Sequence, residues 1–298
     1  MKRLLDWLKV MRLWSLTAST IPVVIGAALA ALDGKFSWLM LALTLVCGWT
    51  LHIATNLLNT YGDYVAGIDQ KAETLTSPQL VTGVFQPIEI FRAGIGILAF
   101  ATALAAVIVV LSDWRLVGFA VVGVAGCGFY TTGLRYKYLG LGVPAAFFLA
   151  GVVMVVASYF VQTCTLTWAA VIVSLPISCL VGALLLGNDL RDVASDREMK
   201  IQTTALFLGK RGAYALFCTL HLLPYAVIAC TVVTGILPCW CLLTLLTAPL
   251  TFGVVKTALD GFRMDDTTKA AKLEGMTAGT HFVFGLLMVS GLVIAVVW

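Results

Sequence analysis

Two segments of the sequence carry Asn and Asp side chains spaced by about one helical turn. In each segment an Asn precedes an Asp by four residues, and in the second segment another Asp follows after four more. Side chains at this spacing share one face of an α-helix. With an acid that follows the first pair, the set is Asn59, Asp63, Asp69, Asn188, Asp192 and Asp196. Such hard oxygen ligands suit Mg²⁺, which bridges to phosphate oxygens, so the spacing predicts a site for a Mg²⁺-bound diphosphate.

Basic side chains lie beside both segments and could neutralise a bound diphosphate. They are Lys71, Lys137, Arg191, Arg197 and Lys200. His52 and Asn56 share the helical face of Asn59. A lone His in a helix is more often a hydrogen-bonded residue than a ligand, so His52 is not assigned to the site. A plainer alternative for both segments is that they are solvated helix ends beside charged loops.

The elements that must position these residues are helices that cross a membrane. The chain has 298 residues, of which 60% are hydrophobic and 11% charged, and its mean hydropathy is +0.99. A soluble domain of this length would need more surface charge. The apolar residues form blocks of roughly 20, the length of a membrane-spanning helix. We therefore predict an all-α, multi-pass bundle in a single domain, residues 1–298. About nine spans are expected, at 13–32, 37–58, 90–111, 116–132, 141–162, 167–187, 213–235, 240–256 and 277–297.

Charge asymmetry predicts the orientation of these spans. Together, the N-terminus and the four loops near 59–92, 133–140, 188–212 and 256–276 hold 17 of the 19 Lys and Arg residues, and two of these loops contain the acidic segments. Positive loops face the cytoplasm, which places the N-terminus and the acidic segments there. Residues 1–14 are predicted to form a short interfacial helix rather than a signal peptide, and we expect a plasma (inner) membrane. The net charge of +4 is explained by attraction to anionic lipid and implies no nucleic-acid partner.

The two acidic segments also indicate an internal repeat. Asn59 and Asn188, like Asp63 and Asp192, are 129 residues apart. Four spans separate the two helices, so both ends emerge on the same side of the membrane. A parallel duplication of this kind would place the two segments opposite each other as halves of one site.

At these residues the chain resembles the UbiA superfamily of intramembrane prenyltransferases. The first segment, NLLNTYGDYVAGID (56–69), is similar to the branch that prenylates 1,4-dihydroxy-2-naphthoate in menaquinone synthesis. The second, NDLRDVASDRE (188–198), fits the family pattern. Three further stretches resemble that branch, RLWSLTASTIPVVIGAALA (12–30), YTTGLRYKYLGLG (130–142) and SYFVQT (158–163). The resemblance covers nearly the whole chain and implies the UbiA-type helical bundle.

The resemblance implies transfer of a polyprenyl group from an all-trans prenyl diphosphate to an aromatic ring, with Mg²⁺ as cofactor. The catalytic carboxylates would be Asp63, Asp192 and Asp196, and the metal ligands the six Asn and Asp residues named above. Direct phosphate contacts would come from Lys137, Arg191 and Lys200. Arg12 would hold the acceptor's carboxylate or serve as a cytoplasmic anchor. Tyr130, Tyr61 and Phe129 could line a dry pocket for the carbocation, or simply pack, and a long prenyl tail could leave into lipid.

The sequence leaves the acceptor open. Thr60, Val143 and the pair Gly151-Val152 depart from the family pattern, and the last two lie nearer the expected acceptor end. With 1,4-dihydroxy-2-naphthoate the product would be demethylmenaquinone. The alternatives are 4-hydroxybenzoate, homogentisate, haem or a lipid phosphate as acceptor, or a cation-coupled transporter. Prenyl chain length and oligomeric state are not given by the sequence.

Overall fold

The computed structural model of the protein describes residues 2–68 and 78–298, and this part of the chain is a bundle of long helices. The helices are α1 (Lys2–Val10), α2 (Thr17–Leu32), α3 (Trp38–Val65), α4 (Pro87–Leu111), α5 (Leu116–Gly128), α6 (Gly142–Thr163), α7 (Trp168–Glu198), α8 (Thr204–Val233), α9 (Cys239–Met264) and α10 (Thr267–Val297). The hydroxyls of Ser37, Thr167 and Thr203 accept a backbone N–H in the first turns of α3, α7 and α8. These N-caps define where the helices begin.

The predicted all-α membrane bundle is confirmed. In the described ranges, eight helical segments are long and apolar enough to cross a bilayer, and α5 is a shorter apolar helix of 13 residues. Trp38, Trp114 and Trp168 lie at or just before the start of α3, α5 and α7 and are 77%, 77% and 81% exposed. Tryptophan concentrates at the membrane–water interface, so these three rings mark one edge of the apolar layer. The acidic segments lie at the opposite ends of α3 and α7.

The predicted spans differ from the helices mainly on the side of the bundle that carries the acidic segments, where the helices extend further than predicted. The second span was predicted to end at 58, but α3 continues to Val65. The sixth was predicted to end at 187, but α7 continues to Glu198. Backbone hydrogen bonding does not stop where hydrophobicity does. The described members of the predicted metal-ligand set therefore lie on helical turns rather than in loops: Asn59, Asp63, Asn188, Asp192 and Asp196.

Helix α2 occupies the centre of the bundle, where it contacts α3, α6, α7 and α10. Small residues allow these close approaches. A Cβ added to Gly26 would lie 2.3 Å from the carbonyl oxygen of Val155, and one added to Gly285 would lie 2.2 Å from Ile21. Helices pack this closely in membranes through small side chains. The resulting core fixes α7, which carries the second acidic segment, against α2 and α10.

The SYFVQT stretch lies at the end of the bundle remote from the acidic segments. Ser158 donates to the carbonyl of Val23 at 2.6 Å, and the Tyr159 hydroxyl donates to Asp33 at 2.5 Å. Gln162 accepts from the backbone N–H of Ser37 at 2.7 Å. This stretch therefore attaches α6 to α2 and to the loop before α3. Its contacts are structural and do not reach the acidic residues.

Two of the sequence departures lie in packing contacts of α6. Val143 is buried in an apolar cluster with Cys179 and Leu186 of α7. Gly151 belongs to a π-helical segment, Ala146–Val153, and a Cβ there would lie 2.3 Å from the Ser178 hydroxyl. Both positions therefore govern how α6 packs on α7.

Candidate functional site

The candidate site lies where the ends of α3 and α7 meet the loop 129–141, which joins α5 to α6 and carries Lys137. The Thr131 hydroxyl donates to the carbonyl of Leu58 at 3.0 Å, which attaches this loop to α3. A Cβ added to Gly62 would lie 2.8 Å from the Cβ of Thr131. Only glycine at this position lets the loop lie directly on the face of α3 that bears the first acidic segment.

The same loop is also attached to the connection that follows α7. The backbone N–H of Gln202 donates to the carbonyl of Tyr138 at 3.3 Å, and the Thr204 hydroxyl donates to the carbonyl of Gly140 at 2.9 Å. The backbone N–H of Thr204 donates in turn to the carboxylate of Asp189 at 3.0 Å. The loop therefore bridges both acidic helices and fixes their separation.

The first acidic segment is held by two side chains of this loop. The Lys137 ammonium donates to Asn59 Oδ1 at 2.9 Å and to the two Asp63 oxygens at 3.0 and 2.8 Å. The Tyr138 hydroxyl donates to Asp63 Oδ1 at 2.6 Å. The Asp63 side chain is only 9% exposed. Its charge is therefore balanced inside the protein by Lys137 rather than by water.

In the second acidic segment, Arg191 holds its neighbour Asp192 and reaches α10. Its guanidinium donates to both oxygens of Asp192, at 2.8 and 2.7 Å, and to Glu274 at 2.6 Å. The close approach requires Gly187, where a Cβ would lie 3.0 Å from the backbone nitrogen of Glu274. The bidentate geometry is that by which Arg recognises carboxylates and phosphates alike.

Two side chains of the second segment, Asp196 and Asn188, have oxygens with few compensating partners. Asp196 is 6% exposed. Its carboxylate lies in the electric field of Asp63, Asp189 and Asp192 as well as that of Lys137. The Asn188 side-chain oxygen is buried and accepts no hydrogen bond within the described chain. Acidic and amide oxygens from both helices thus share one electrostatic neighbourhood, with Asp196 short of positive charge and Asn188 short of a partner.

Tyr130 links this neighbourhood to Arg12 at the start of α2. Burial raises the pKa of the Tyr130 phenol, the nearby carboxylates of Asp189 and Asp63 raise it further, and the charge of Arg12 opposes them. The phenol therefore remains protonated and can donate a hydrogen bond. Arg12 itself has a left-handed backbone with φ of 53°. It is placed on the same side of the bundle as the two acidic segments.

His52 behaves as the sequence interpretation expected. Its two ring nitrogens lie 3.2 Å from the Ser15 hydroxyl and 3.1 Å from the Ser19 hydroxyl. Asn56 donates to the carbonyl of Met11 at 3.0 Å. These contacts attach α3 to the start of α2, so His52 and Asn56 have structural partners of their own.

Other residues proposed from the sequence are exposed, pack elsewhere or fall outside the described part of the chain. Lys200 and Arg197 are exposed, and Phe129 is 44% exposed on the bundle surface. The Tyr61 ring packs against Phe91 of α4, with centroids 4.8 Å apart. Asp69 and Lys71 lie outside the described residues. A lining role for Phe129 therefore stays a prediction, and Tyr61 shows the packing that the sequence left open as its alternative.

Three contributors were not found from the sequence. They are Tyr138, which donates to Asp63, Asp189, which accepts from Thr204, and Glu274, which pairs with Arg191. Asp189 lies within the second segment, but it falls outside the four-residue spacing of Asn188, Asp192 and Asp196. The other two are brought to the site only by tertiary packing, and no local pattern marks them.

Comparisons of sequence give a consistent assignment. The UbiA prenyltransferase family model matches residues 19–295. The 1,4-dihydroxy-2-naphthoate octaprenyltransferase of Bacillus subtilis (strain 168) is 31% identical over 283 residues, which is 94% of this chain and 90% of the relative. The UbiA prenyltransferase domain-containing protein 1 of Homo sapiens is 31% identical over 294 residues, with 96% and 82% covered.

Solved structures of similar fold include two archaeal UbiA homologs. One from Aeropyrum pernix K1, in its apo form, superposes with a TM-score of 0.67 at 17% identity and covers 93% of this chain and 97% of its own. One from Archaeoglobus fulgidus, bound to GPP and Mg²⁺, superposes with a TM-score of 0.61 at 16% identity and covers 96% and 99%. At these identities the likeness concerns the fold.

Proposed function

The chain belongs to the UbiA prenyltransferase family, and we propose that it transfers a polyprenyl group from an all-trans prenyl diphosphate to 1,4-dihydroxy-2-naphthoate, giving demethylmenaquinone. The observation that carries the donor half of this proposal is that Lys137 binds Asp63 of the first acidic segment and acts electrostatically on Asp189 and Asp196 of the second. The acceptor half rests on the motif resemblance and on the relative from Bacillus subtilis, whose name specifies that acceptor.

The site residues fit a divalent cation. Asn188 presents a buried oxygen without a partner, and Asp196 lies among other carboxylates with little positive charge nearby. In the described chain no three His, Cys, Asp or Glu side chains form a ready metal cluster. Asp63 and Asp192 are each held by a base. We propose Asn59, Asp63, Asn188, Asp192 and Asp196 as the ligands of Mg²⁺, and Asp69 remains a prediction outside the described residues. Bound Mg²⁺ would neutralise charge on the diphosphate as the allylic C–O bond breaks.

Lys137 and Arg191 take a second role in this proposal. In the structure both bases are bound to carboxylates. With a metal-bound diphosphate in the site, the carboxylates would have cations of their own, and Lys137 and Arg191 would be free to donate to phosphate oxygens. Donors fixed in advance around a growing negative charge stabilise the transition state. Lys200, which is exposed, would reach the phosphate only from the edge of the site.

The reacting carbon and the acceptor lie deeper than the diphosphate in this proposal. A carbocation must be protected from water, and the apolar interior of the bundle supplies that protection. Tyr130 stays protonated beside Asp63 and Asp189, and we assign it to face the reacting centre. Arg12 acts on Tyr130 electrostatically, so we assign it to the acceptor carboxylate.

We also propose that the site faces the cytoplasm of a plasma (inner) membrane. The support is the excess of Lys and Arg on the side that carries the acidic segments. The exposed Trp residues at the opposite ends of the helices would then mark the outer interface. The variant Ser195→Cys, at an exposed position near the end of α7, tests the orientation. Its new thiol should react with a membrane-impermeant reagent in inverted vesicles and not in intact cells.

The central test is a membrane assay with a prenyl diphosphate, Mg²⁺ and a mixture of aromatic acceptors, read by mass spectrometry. We expect prenylated 1,4-dihydroxy-2-naphthoate as the main product. We also expect Asp63→Ala and Asp192→Ala to lower its formation by at least about 100-fold, the usual effect of removing one electrostatic stabiliser. Product on another acceptor would overturn the acceptor assignment, and full activity of either variant would overturn the site.

A further inference from the structure

Glu274 of α10 contacts the candidate site although it belongs to neither acidic segment. Its carboxylate accepts from Arg191 Nη1 at 2.6 Å, while Nε and Nη2 of the same guanidinium donate to Asp192 at 2.8 and 2.7 Å. The Glu274 side chain is 17% exposed, and within the described ranges its carboxylate has no other partner. Arg191 is thus held on one side by its own helix and on the other by a second helix.

The backbone of α10 beside Glu274 is fixed by buried contacts. A Cβ added to Gly187 would lie 3.0 Å from the backbone nitrogen of Glu274, so α7 and α10 touch there. One turn further along α10, the Thr277 hydroxyl lies 3.1 Å from His221 Nε2, and His221 Nδ1 lies 2.9 Å from the carbonyl oxygen of Phe217. Both Thr277 and His221 are fully buried. The position of α10 therefore does not depend on the Glu274 side chain.

The guanidinium of Arg191 has donors to spare. An Arg side chain has five N–H donors in a fixed planar arrangement. Three of them are used in the structure, so one on each terminal nitrogen has no acceptor among the described residues. If Asp192 turns to a bound cation, as in the proposed site, Nε and Nη2 lose their acceptor as well. Glu274 then remains as the contact that keeps the guanidinium in place.

The charge of Glu274 and its position would have opposite effects on a diphosphate. As a negative charge near the site, Glu274 repels diphosphate, so its removal would strengthen donor binding. As the acceptor that fixes Arg191, it removes the need to order a long side chain when the donor binds, so its loss would weaken binding. The sign of the change in donor binding therefore distinguishes the two roles.

We propose that Glu274 is a positioning residue, which holds the Arg191 guanidinium towards the diphosphate of the donor. The inference rests on the proposed prenyl transfer. Glu274 itself contacts no substrate, so its effect passes entirely through Arg191. The effect is on the donor and not on the acceptor, because the guanidinium donates to phosphate oxygens.

Asp260 provides a matched control. Its carboxylate, on α9, lies 3.6 Å from the ammonium group of Lys269 on α10, and the two side chains are 30% and 27% exposed. Glu274→Ala and Asp260→Ala each remove one carboxylate from an ion pair that joins α10 to a neighbouring helix. Only the first of these ion pairs includes Arg191.

The experiment measures kcat and KM for the prenyl diphosphate and for the acceptor. We expect Glu274→Ala to raise the donor KM at least about tenfold, which corresponds to one hydrogen bond to a charged group. The acceptor KM should stay unchanged in this variant, and Asp260→Ala should change neither KM. Partial misfolding lowers kcat without altering either KM, so the split between the two parameters separates it from a positioning effect.

Arg191→Met shows whether Glu274 acts through the guanidinium. In a double-mutant cycle, Glu274→Ala should have no further effect on the donor KM once Arg191 is replaced. The same four proteins are also titrated in a calorimeter with the magnesium complex of inorganic diphosphate, which measures binding without turnover. We expect Glu274→Ala to raise the Kd of this complex in the wild-type background and to leave it unaltered in Arg191→Met.

The outcomes separate this inference from the proposed function. If the wild-type protein forms no prenylated product, the proposed prenyl transfer fails, and the calorimetric titration still decides the role of Glu274. A donor KM or diphosphate Kd that is unchanged or lower in Glu274→Ala overturns the positioning role, and so does an equal rise in the Arg191→Met background. Should Glu274→Ala not fold, Glu274→Gln replaces it. A smaller rise in the donor KM is then expected, because a neutral amide oxygen is a weaker acceptor, and an unchanged donor KM would again overturn the role.

Discussion

Replacing Lys137 by Met tests whether this ammonium group is the internal counter-charge of the first acidic segment. Methionine keeps much of the length of the side chain but donates no hydrogen bond. The change leaves Asp63, 9% exposed, with the Tyr138 hydroxyl as a remaining donor and removes the contact to Asn59. A carboxylate in such a position loses the partner that offset its desolvation.

The expected loss of stability follows from burial. Removing one partner of a fully buried ion pair costs about 3–5 kcal/mol. Lys137 is 22% exposed and Tyr138 is retained, so we expect the lower part of that range, about 3 kcal/mol. For a chain of this size that corresponds to a fall in Tm of about 6 °C. Purified protein in detergent, followed by intrinsic tryptophan fluorescence during heating, gives the measurement.

Lys210→Met is the matched control. Lys210 pairs with Asp265 at 2.6 Å, but the two side chains are 46% and 87% exposed. Such surface pairs contribute less than about 1 kcal/mol. Added Mg²⁺ should also stabilise Lys137→Met more than the wild-type protein, because the cation no longer competes with the ammonium group for Asp63. Equal falls in Tm for the two variants, with no extra effect of Mg²⁺, would refute the role of Lys137.

Three further changes probe the positioning of the site. Tyr138→Phe removes the 2.6 Å hydrogen bond to Asp63 and should lower the free energy of unfolding by about 1.5–3 kcal/mol; an unchanged Tm would show that this bond is not formed. Gly62→Val places a side chain 2.8 Å from Thr131 and should lower product formation about 100-fold, a typical effect of a displaced catalytic group. Gly96→Val, where nothing lies within 4 Å, should not. His52→Leu removes the contacts to Ser15 and Ser19 and should lower Tm without changing the Mg²⁺ dependence of activity; an altered dependence would make His52 a ligand.

The sequence was sufficient for the features that depend on local periodicity. Blocks of apolar residues predicted the spans, because each bilayer-crossing helix must be apolar over its own length. The four-residue spacing predicted that Asn59 and Asp63 share a face, and the structure brings both to Lys137. The polar ends of these helices were predicted less well. A helix continues through polar turns when their side chains have partners, so α3 and α7 extend beyond the apolar blocks.

Features that depend on tertiary packing could not be predicted. Lys137 and Arg191 were predicted to contact the phosphate groups of the substrate, yet in the structure each forms an ion pair with a carboxylate of the site. Nothing in a local pattern indicates which carboxylate a base will reach. Glu274 is such a case, since it meets Arg191 across 83 residues of chain. The SYFVQT stretch is the opposite case. Its sequence resembles the family pattern, but its contacts join α6 to α2 and to the loop before α3, remote from the acidic residues.

The two acidic helices both point their carboxyl-terminal ends at the site, and this direction has a consequence for the order of binding. The C-terminal end of a helix carries about half a negative charge from its aligned peptide dipoles. Both helix ends therefore add to the carboxylates in repelling a bare diphosphate, which is the reverse of the usual anion site at a helix N-terminus. We expect inorganic diphosphate to bind only together with its cation. In a titration calorimeter, diphosphate with a chelator should release no heat, whereas the magnesium complex should bind.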